Sequence, residues 1–282
     1  MWHAKYWKQF FEFQVMKDLM KSESRFASWS WCEEGFEDIL TSLRSERPED
    51  GFINESSGKL VWHLKKSADG RQYDFAYKIN PGKTPWRYIL KPSLAMREAL
   101  NYRMFEELGI PVAHVLAVGD VRKNFILKEN FIVTSFIDAS LDGRCFMPNG
   151  EMQNEAELRF EFTLRNMELL AKIHDSGIFH KAFHPRNLLW KGDLGNIQVY
   201  WIDVARCRRV KGILSMKKAV LTDLHTFLCD IRPTRMELEQ VVEHYLHCRK
   251  KGGYPGGVKG LIDDLYGFSR RLFSSRRYVL TR

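Results

Sequence analysis

Phe179-His180-Lys181-Ala182-Phe183-His184-Pro185-Arg186-Asn187-Leu188-Leu189 is the stretch on which the reading of this chain turns. Apolar residues bracket a run in which His180, His184 and Asn187 stand around an alanine at position 182. The amide oxygen of Asn187 is a hard donor of the kind magnesium takes, usually only one or two per ion, with phosphate and water completing the shell. Downstream, Gln198-Val199-Tyr200-Trp201-Ile202-Asp203 reads as a strand that ends in a carboxylate, and Asp203 is a second donor of this kind. The plainer reading of Asp203 is a turn residue closing a strand.

Working outward, residues 52–79 predict a small antiparallel unit. Phe52-Ile53 opens a strand, Gly58 marks a turn, Leu60–Leu64 is a second strand, Ala68-Asp69-Gly70 a hairpin turn and Tyr73–Ile79 a third strand. A helix is expected from about Leu94 to Leu108, stopped by Gly109 at its C-cap with Pro111 two residues beyond. Strands are expected at Val115–Gly119 and Phe131–Phe136, and from Glu155 onward the chain reads as mainly helical. Residues 1–21 interleave Trp2, Tyr6, Trp7, Phe10, Phe11 and Phe13 with lysines. They read as a helix or arm packed on the body of the protein, or as an interfacial amphipathic helix.

Composition sets the outer bounds. Hydrophobic residues at 44% and charged residues at 28% are those of a globular protein with a substantial core. Forty-four Lys and Arg against 35 Asp and Glu give +9, which favours anionic partners without choosing among phosphates, acidic lipids, anionic glycolipids and nucleic acid. The five scattered cysteines show no C-x-x-C pair and predict free thiols in a reducing cytoplasm. No apolar run reaches the length of a membrane span and the start lacks a signal-peptide pattern, so the chain is expected to be neither secreted nor membrane-spanning.

The opening stretch resembles the catalytic loop of kinase-like phosphotransferases, H-x-D-x-x-x-x-N, with His180 and Asn187 at the pattern's spacing and Ala182 where the pattern has its aspartate. Phe75-Ala76-Tyr77-Lys78-Ile79 resembles the V-A-I-K strand, and Glu98 in Met96-Arg97-Glu98-Ala99-Leu100 falls on the next helix. His184-Pro185-x-Asn187 and Gly109-Ile110-Pro111-Val112 are similar to the bacterial small-molecule branch, which includes aminoglycoside phosphotransferases. Ile202-Asp203-Val204-Ala205-Arg206 is similar to the lipopolysaccharide core kinases of the Kdo/WaaP type. The resemblance spans roughly residues 50–230.

It implies an α+β, two-lobed protein-kinase-like fold: an aromatic and basic extension at 1–50, a small β-rich N-lobe at 51–137 and a larger helical C-lobe at 138–282. It further implies an ATP- and Mg²⁺-dependent transfer of phosphate to a hydroxyl of a lipopolysaccharide inner-core sugar. Lys78 would meet the α- and β-phosphates, Glu98 would orient Lys78, with Glu106 and Glu107 as competitors near the helix end, and Asn187 and Asp203 would hold Mg²⁺. Backbone groups of Ser135, Phe136 and Ile137 would face adenine, and Ser57 and Gly58 in the turn before Lys59 would cover phosphate. Asp223 resembles a buried aspartate that braces the catalytic loop; otherwise it is a helix N-cap. The expected setting is cytoplasmic, at the cytoplasmic face of the inner membrane if residues 1–21 and the C-terminal arginines dock there, with an anionic glycolipid or sugar as acceptor and nucleic acid disfavoured.

Three departures qualify this. No G-x-G-x-x-G precedes Lys78, D-F-G is replaced by Asp203-Val204-Ala205, and position 182 has a methyl group that neither accepts a proton nor orients a hydroxyl. Nucleotide binding is expected to persist and transfer to be impaired, with His184 as a weak surrogate base. The competing readings are a kinase stripped of its base, a nucleotide-binding pseudokinase scaffold, and a kinase acting on a protein or another small molecule. Arg206–Lys211 with Lys217 and Lys218 reads as a cationic wall for the acceptor or as a solvated surface run.

Overall fold

The computed structural model describes residues 28–56, 59–82, 88, 92–139, 141–251 and 253–272. The chain divides into two compact units, one formed by the segment up to Arg103 with Ala113–Ile137, the other by Met104–Val112 with Asp138 onward.

The first unit is built on a six-stranded sheet with neighbours in the order β1-β5-β6-β4-β3-β2, every pairing antiparallel. The strands are β1 (Trp29–Cys32), β2 (Phe52–Ser56), β3 (Lys59–Ala68), β4 (Arg71–Pro81), β5 (Val115–Lys123) and β6 (Ile126–Ser135). Asp69 and Gly70, both at positive φ, form the tight turn between β3 and β4, as the Asp-Gly step predicts. Asn124 and Phe125 make a second two-residue turn at φ +50 and +66, so β5 and β6 run well past the ends expected at Gly119 and Phe131. That turn contains no glycine, which is why the sequence pattern hides it.

Residues 29–45 fall within the stretch read from sequence as an extension, and they supply β1 and helix α1 (Glu37–Ser45) to this unit. Phe36, Ile39, Leu40 and Leu43 recur at helical spacing and pack on Trp62, Phe75, Tyr77, Ile79, Phe131 and Val133 of the sheet. Helix α2 (Leu94–Glu107) begins at Ser93, whose hydroxyl accepts from the Met96 amide at 3.2 Å. It ends in a Schellman motif: Gly109 at φ +63 donates to Glu106 O and Ile110 donates to Phe105 O, each at 2.8 Å.

The second unit is mainly helical. Its helices are α3 (Ala156–Asp175), α4 (Ile213–Ile231), α5 (Arg235–Cys248) and α6 (Gly257–Leu272). Short strands β7 (Leu141–Asp142), β9 (Leu188–Lys191) and β10 (Gln198–Trp201) form one sheet, and β8 (Ile178–Phe179) pairs with β11 (Arg208–Arg209). Thr234 and Glu237 close a reciprocal capping box at the start of α5, and Glu237 also accepts from Arg159 of α3 at 2.8 Å. Trp201 is fully buried among Phe105, Phe183 and His180, with its indole N–H donating to Asn166 Oδ1 at 2.9 Å. This aromatic core lies directly beneath the His180–Asn187 segment.

Candidate active site

In the first unit Lys78 sits on central strand β4, opposite Val61 of β3 and Ile132 of β6. Its Nζ lies 2.9 and 3.0 Å from the two carboxylate oxygens of Glu98, whose side chain is 3% exposed. Glu98, rather than Glu106 or Glu107, is therefore the carboxylate of α2 that meets Lys78. Two residues beyond Lys78, Asn80 and the facing Asn130 of β6 form a buried clamp that the sequence did not announce. Asn130 Oδ1 accepts from Asn80 Nδ2 at 3.2 Å and from the Ala95 amide in the first turn of α2 at 2.9 Å. That bond pins the helix start to the sheet, and Glu98, three residues on, then points at Lys78. Asn130 Nδ2 in turn donates to Asn80 O at 3.3 Å, and buried hydrogen bonds of this kind favour one register of helix on sheet.

The Ser135–Ile137 stretch at the end of β6 is partly committed. The Ser135 amide donates to His114 O at 2.7 Å and the Phe136 amide to Asp74 O at 2.9 Å, while the Phe136 ring stacks on His63. Ile137 is the residue of the three whose amide makes no hydrogen bond among the described residues. Ser57 and Gly58 lie outside the described residues, as do residues 1–21.

The His180–Asn187 segment lies in the second unit and is held from below by Asp223. This residue is in the middle of α4 and fully buried, so it caps nothing. Its carboxylate accepts from the amides of His180 and Lys181, each at 2.8 Å, and stands 3.2 Å from His174 Nε2. Lys181 adopts φ +67, the bend that turns both amides toward Asp223.

His174 Nδ1 is 2.7 Å from the hydroxyl of Tyr245, which accepts from Arg249 Nη1 at 3.0 Å, and Arg249 Nε is paired with Asp175. Burial pushes the His174 pKa down, keeping the ring neutral. With Asp223 an acceptor, the consistent tautomer has His174 Nε2–H donating to Asp223 and Nδ1 accepting from Tyr245. A donor chain then runs from Arg249, just past α5, through Tyr245 and His174 to Asp223, which also accepts from the loop amides.

His180 is itself fully buried, and neither ring nitrogen has a hydrogen-bond partner among the described residues. Burial pushes its pKa down to about 4, against the opposing pull of the Asp223 and Asp203 carboxylates. An unfolded chain takes up that proton near pH 6.5, so between pH 6.5 and 4 the unfolded state binds the extra proton and stability falls as pH falls. Burial also lowers the pKa values of His174 and His225, so the pH dependence of urea unfolding across this window is expected to become shallower in His180→Leu by about 1.4 kcal/mol per pH unit, the share of this one group. An equal slope in the variant would assign the effect elsewhere.

Ala182 is 7% exposed, and its carbonyl accepts from the His184 amide at 2.8 Å and from Asn187 Nδ2 at 2.9 Å. His184 Nδ1 lies 2.8 Å from Asp230 on α4. Leu188 of β9 pairs with Trp201 of β10, and the Ile202 amide donates to Asn187 O at 2.9 Å. Asn187 and Asp203 are thereby brought to the same end of one hairpin, with Asp203 in the left-handed conformation at φ +53. Among the described residues no group of three or more His, Cys, Asp or Glu forms a metal site. A cation here would rest on one carboxylate and one amide, with the remaining ligands supplied by phosphate and water, which is the habit of magnesium.

A comparison with protein families matches residues 69–245 to the lipopolysaccharide kinase (Kdo/WaaP) family. No curated protein matches the chain. Among solved structures it is similar to WaaP in complex with acyl carrier protein, at 16% identity and a TM-score of 0.60, over 87% of this chain and 100% of that one. At that identity the likeness speaks for the fold, which is the α+β, two-lobed protein-kinase-like one.

Proposed function

This chain belongs to the lipopolysaccharide kinase (Kdo/WaaP) family, and from that premise we propose that it binds ATP with Mg²⁺ and directs the γ-phosphoryl group to a hydroxyl of an inner-core sugar. The observation that carries the nucleotide half is the Lys78–Glu98 pair, a lysine with both carboxylate oxygens of a buried glutamate within 3.0 Å. Glu98 fixes the direction of the ammonium, which would neutralise the α- and β-phosphates. Asn187 and Asp203 would hold the Mg²⁺, which supplies charge neutralisation between the phosphates. Ile137 would offer the adenine-facing amide, since those of Ser135 and Phe136 are already engaged. The acceptor is an anionic glycolipid, and the protein works at the cytoplasmic face of the inner membrane as a peripheral protein.

In this reading Ala182 leaves the loop correctly shaped but without its proton acceptor. His184, oriented through Nδ1 by Asp230, is the remaining base and accounts for whatever transfer the chain retains. The second reading, a nucleotide-binding scaffold, rests on that same methyl group.

Glu98→Gln keeps the shape of the side chain but removes its charge, and Lys78→Met removes the cation. MgATP affinity, read by calorimetry, is expected to fall at least about tenfold in Lys78→Met and less in Glu98→Gln, the size of a lost charge-assisted hydrogen bond. Unchanged affinity in a Lys78→Met protein that keeps its circular dichroism spectrum would refute the nucleotide assignment.

A further inference from the structure

We propose that the start of α4, with the basic segment before it, is a membrane-docking face: Ile213 and Leu214 insert between lipid headgroups while Arg206, Arg208, Arg209, Lys211 and Lys218 contact anionic phosphates. The inference deepens the reading of the acceptor as a membrane glycolipid and rests on it for the choice of a lipid surface over other polyanions.

Ile213 and Leu214 are 88% and 84% exposed. The apolar residues farther along the same helix, Val220, Leu221, Leu224, Phe227, Leu228 and Ile231, are all buried. Single exposed aliphatic residues are ordinary. Two adjacent ones at a helix tip, inside a stretch from 206 to 218 that contains six cations and no anion, are not. Lys217 and Lys218 lie one turn beyond Ile213 and Leu214 on the same sides of the helix. Lys217 is occupied by Asp264 at 2.6 Å, while Lys218 is exposed. The helix start has no side-chain cap and no acidic residue in its first turn, so no carboxylate of that turn repels a phosphate.

The segment is firmly placed. Arg208 and Arg209 pair with Phe179 and Ile178, and the Val210 amide donates to Gly177 O at 2.9 Å. Strand β8 continues directly into His180, so the cations flank the strand that delivers the catalytic loop. An acidic protein would also satisfy these cations, but a protruding aliphatic pair with a cationic collar matches a surface whose charge is outside and whose apolar layer lies just beneath it.

The test is co-sedimentation of the full chain with phosphatidylcholine vesicles, with and without about a third phosphatidylglycerol. Binding is expected only with the anionic lipid. Arg209→Gln/Lys211→Gln/Lys218→Gln should weaken it by about a hundredfold, since each basic residue near the surface contributes roughly fivefold. Ile213→Ser/Leu214→Ser should weaken it about tenfold and remove the part that survives a rise in salt from about 0.1 M to about 0.5 M. Wild-type affinity in the Ile213/Leu214 variant, equal binding to neutral vesicles, or no vesicle binding alongside a tight complex with an acidic protein would each overturn the proposal. Phosphate transfer to core oligosaccharide freed of its lipid, measured in the Ala182→Asp background, reports on the functional reading alone. It should be unaffected by the Ile213/Leu214 change, and its absence together with normal vesicle binding would count against the kinase reading while leaving the docking face standing.

Discussion

Ala182→Asp is expected to raise phosphate transfer to isolated lipopolysaccharide core by about 10²–10⁴-fold while leaving MgATP affinity within a factor of about two, the usual contribution of a positioned general base. The backbone needs no rearrangement for this. The Ala182 carbonyl is already held by Asn187 and by the His184 amide, and the amides just before it are held by Asp223. A carboxylate added to this Cα therefore starts from a fixed backbone, and positioning is the larger share of what such a group contributes. The residual rate of the unaltered chain should fall in Asp230→Asn, which removes the charge that orients His184. If Ala182→Asp binds nucleotide normally and transfers nothing to any core sugar, the scaffold reading replaces the kinase reading.

Asp223→Ala is expected to cost about 4 kcal/mol of stability, because it strands the His180 and Lys181 amides and His174 Nε2 at about 1–3 kcal/mol for each buried group left unpaired. Against a typical total of about 5–15 kcal/mol this is a large fraction, and for a chain of this size it corresponds to a fall in Tm of roughly 10 °C. Asp223→Asn retains an acceptor and should lose about half as much. Hydrogen exchange at the His180 and Lys181 amides gives the more direct reading, since protection there should fall by more than the global loss of stability accounts for. Protection that declines only in step with global unfolding would mean that the loop is held chiefly by its aromatic packing. Loss of Tyr245 or Arg249 should loosen the same amides to a smaller extent, because they reach Asp223 only through His174.

The two expectations differ in how visible their residues are in the sequence. Position 182 is conspicuous because His180 and Asn187 set a frame around it. Asp223 is one of two aspartates in a helix that also contains Lys217, Lys218 and His225, with a capping role as an equally simple reading. Only its burial and its bonds to residues 42 and 43 positions earlier separate the two. The acid sensitivity of His180 is likewise invisible until its ring is seen without partners in an aromatic core.

Local chemistry accounts for one part of this architecture. Alternation and the Asp69-Gly70 step place β3 and β4, Gly109 stops α2, and the spacing from His180 to Asn187 with Asp203 beyond it points to the phosphotransferase loop. Each of these depends on residues within a turn or a strand of one another, or on a motif held at fixed spacing. Packing between elements distant in the chain is what pairs Glu98 with Lys78, and it has decided that Asn80 and Asn130 lock the helix carrying Glu98. It likewise decided that a chain from Arg249 through Tyr245 and His174 reaches Asp223, and that Ile213 and Leu214 are left in solvent. The reason is physical: a buried polar group must find a partner, and which partner it finds depends on which distant elements are packed beside it.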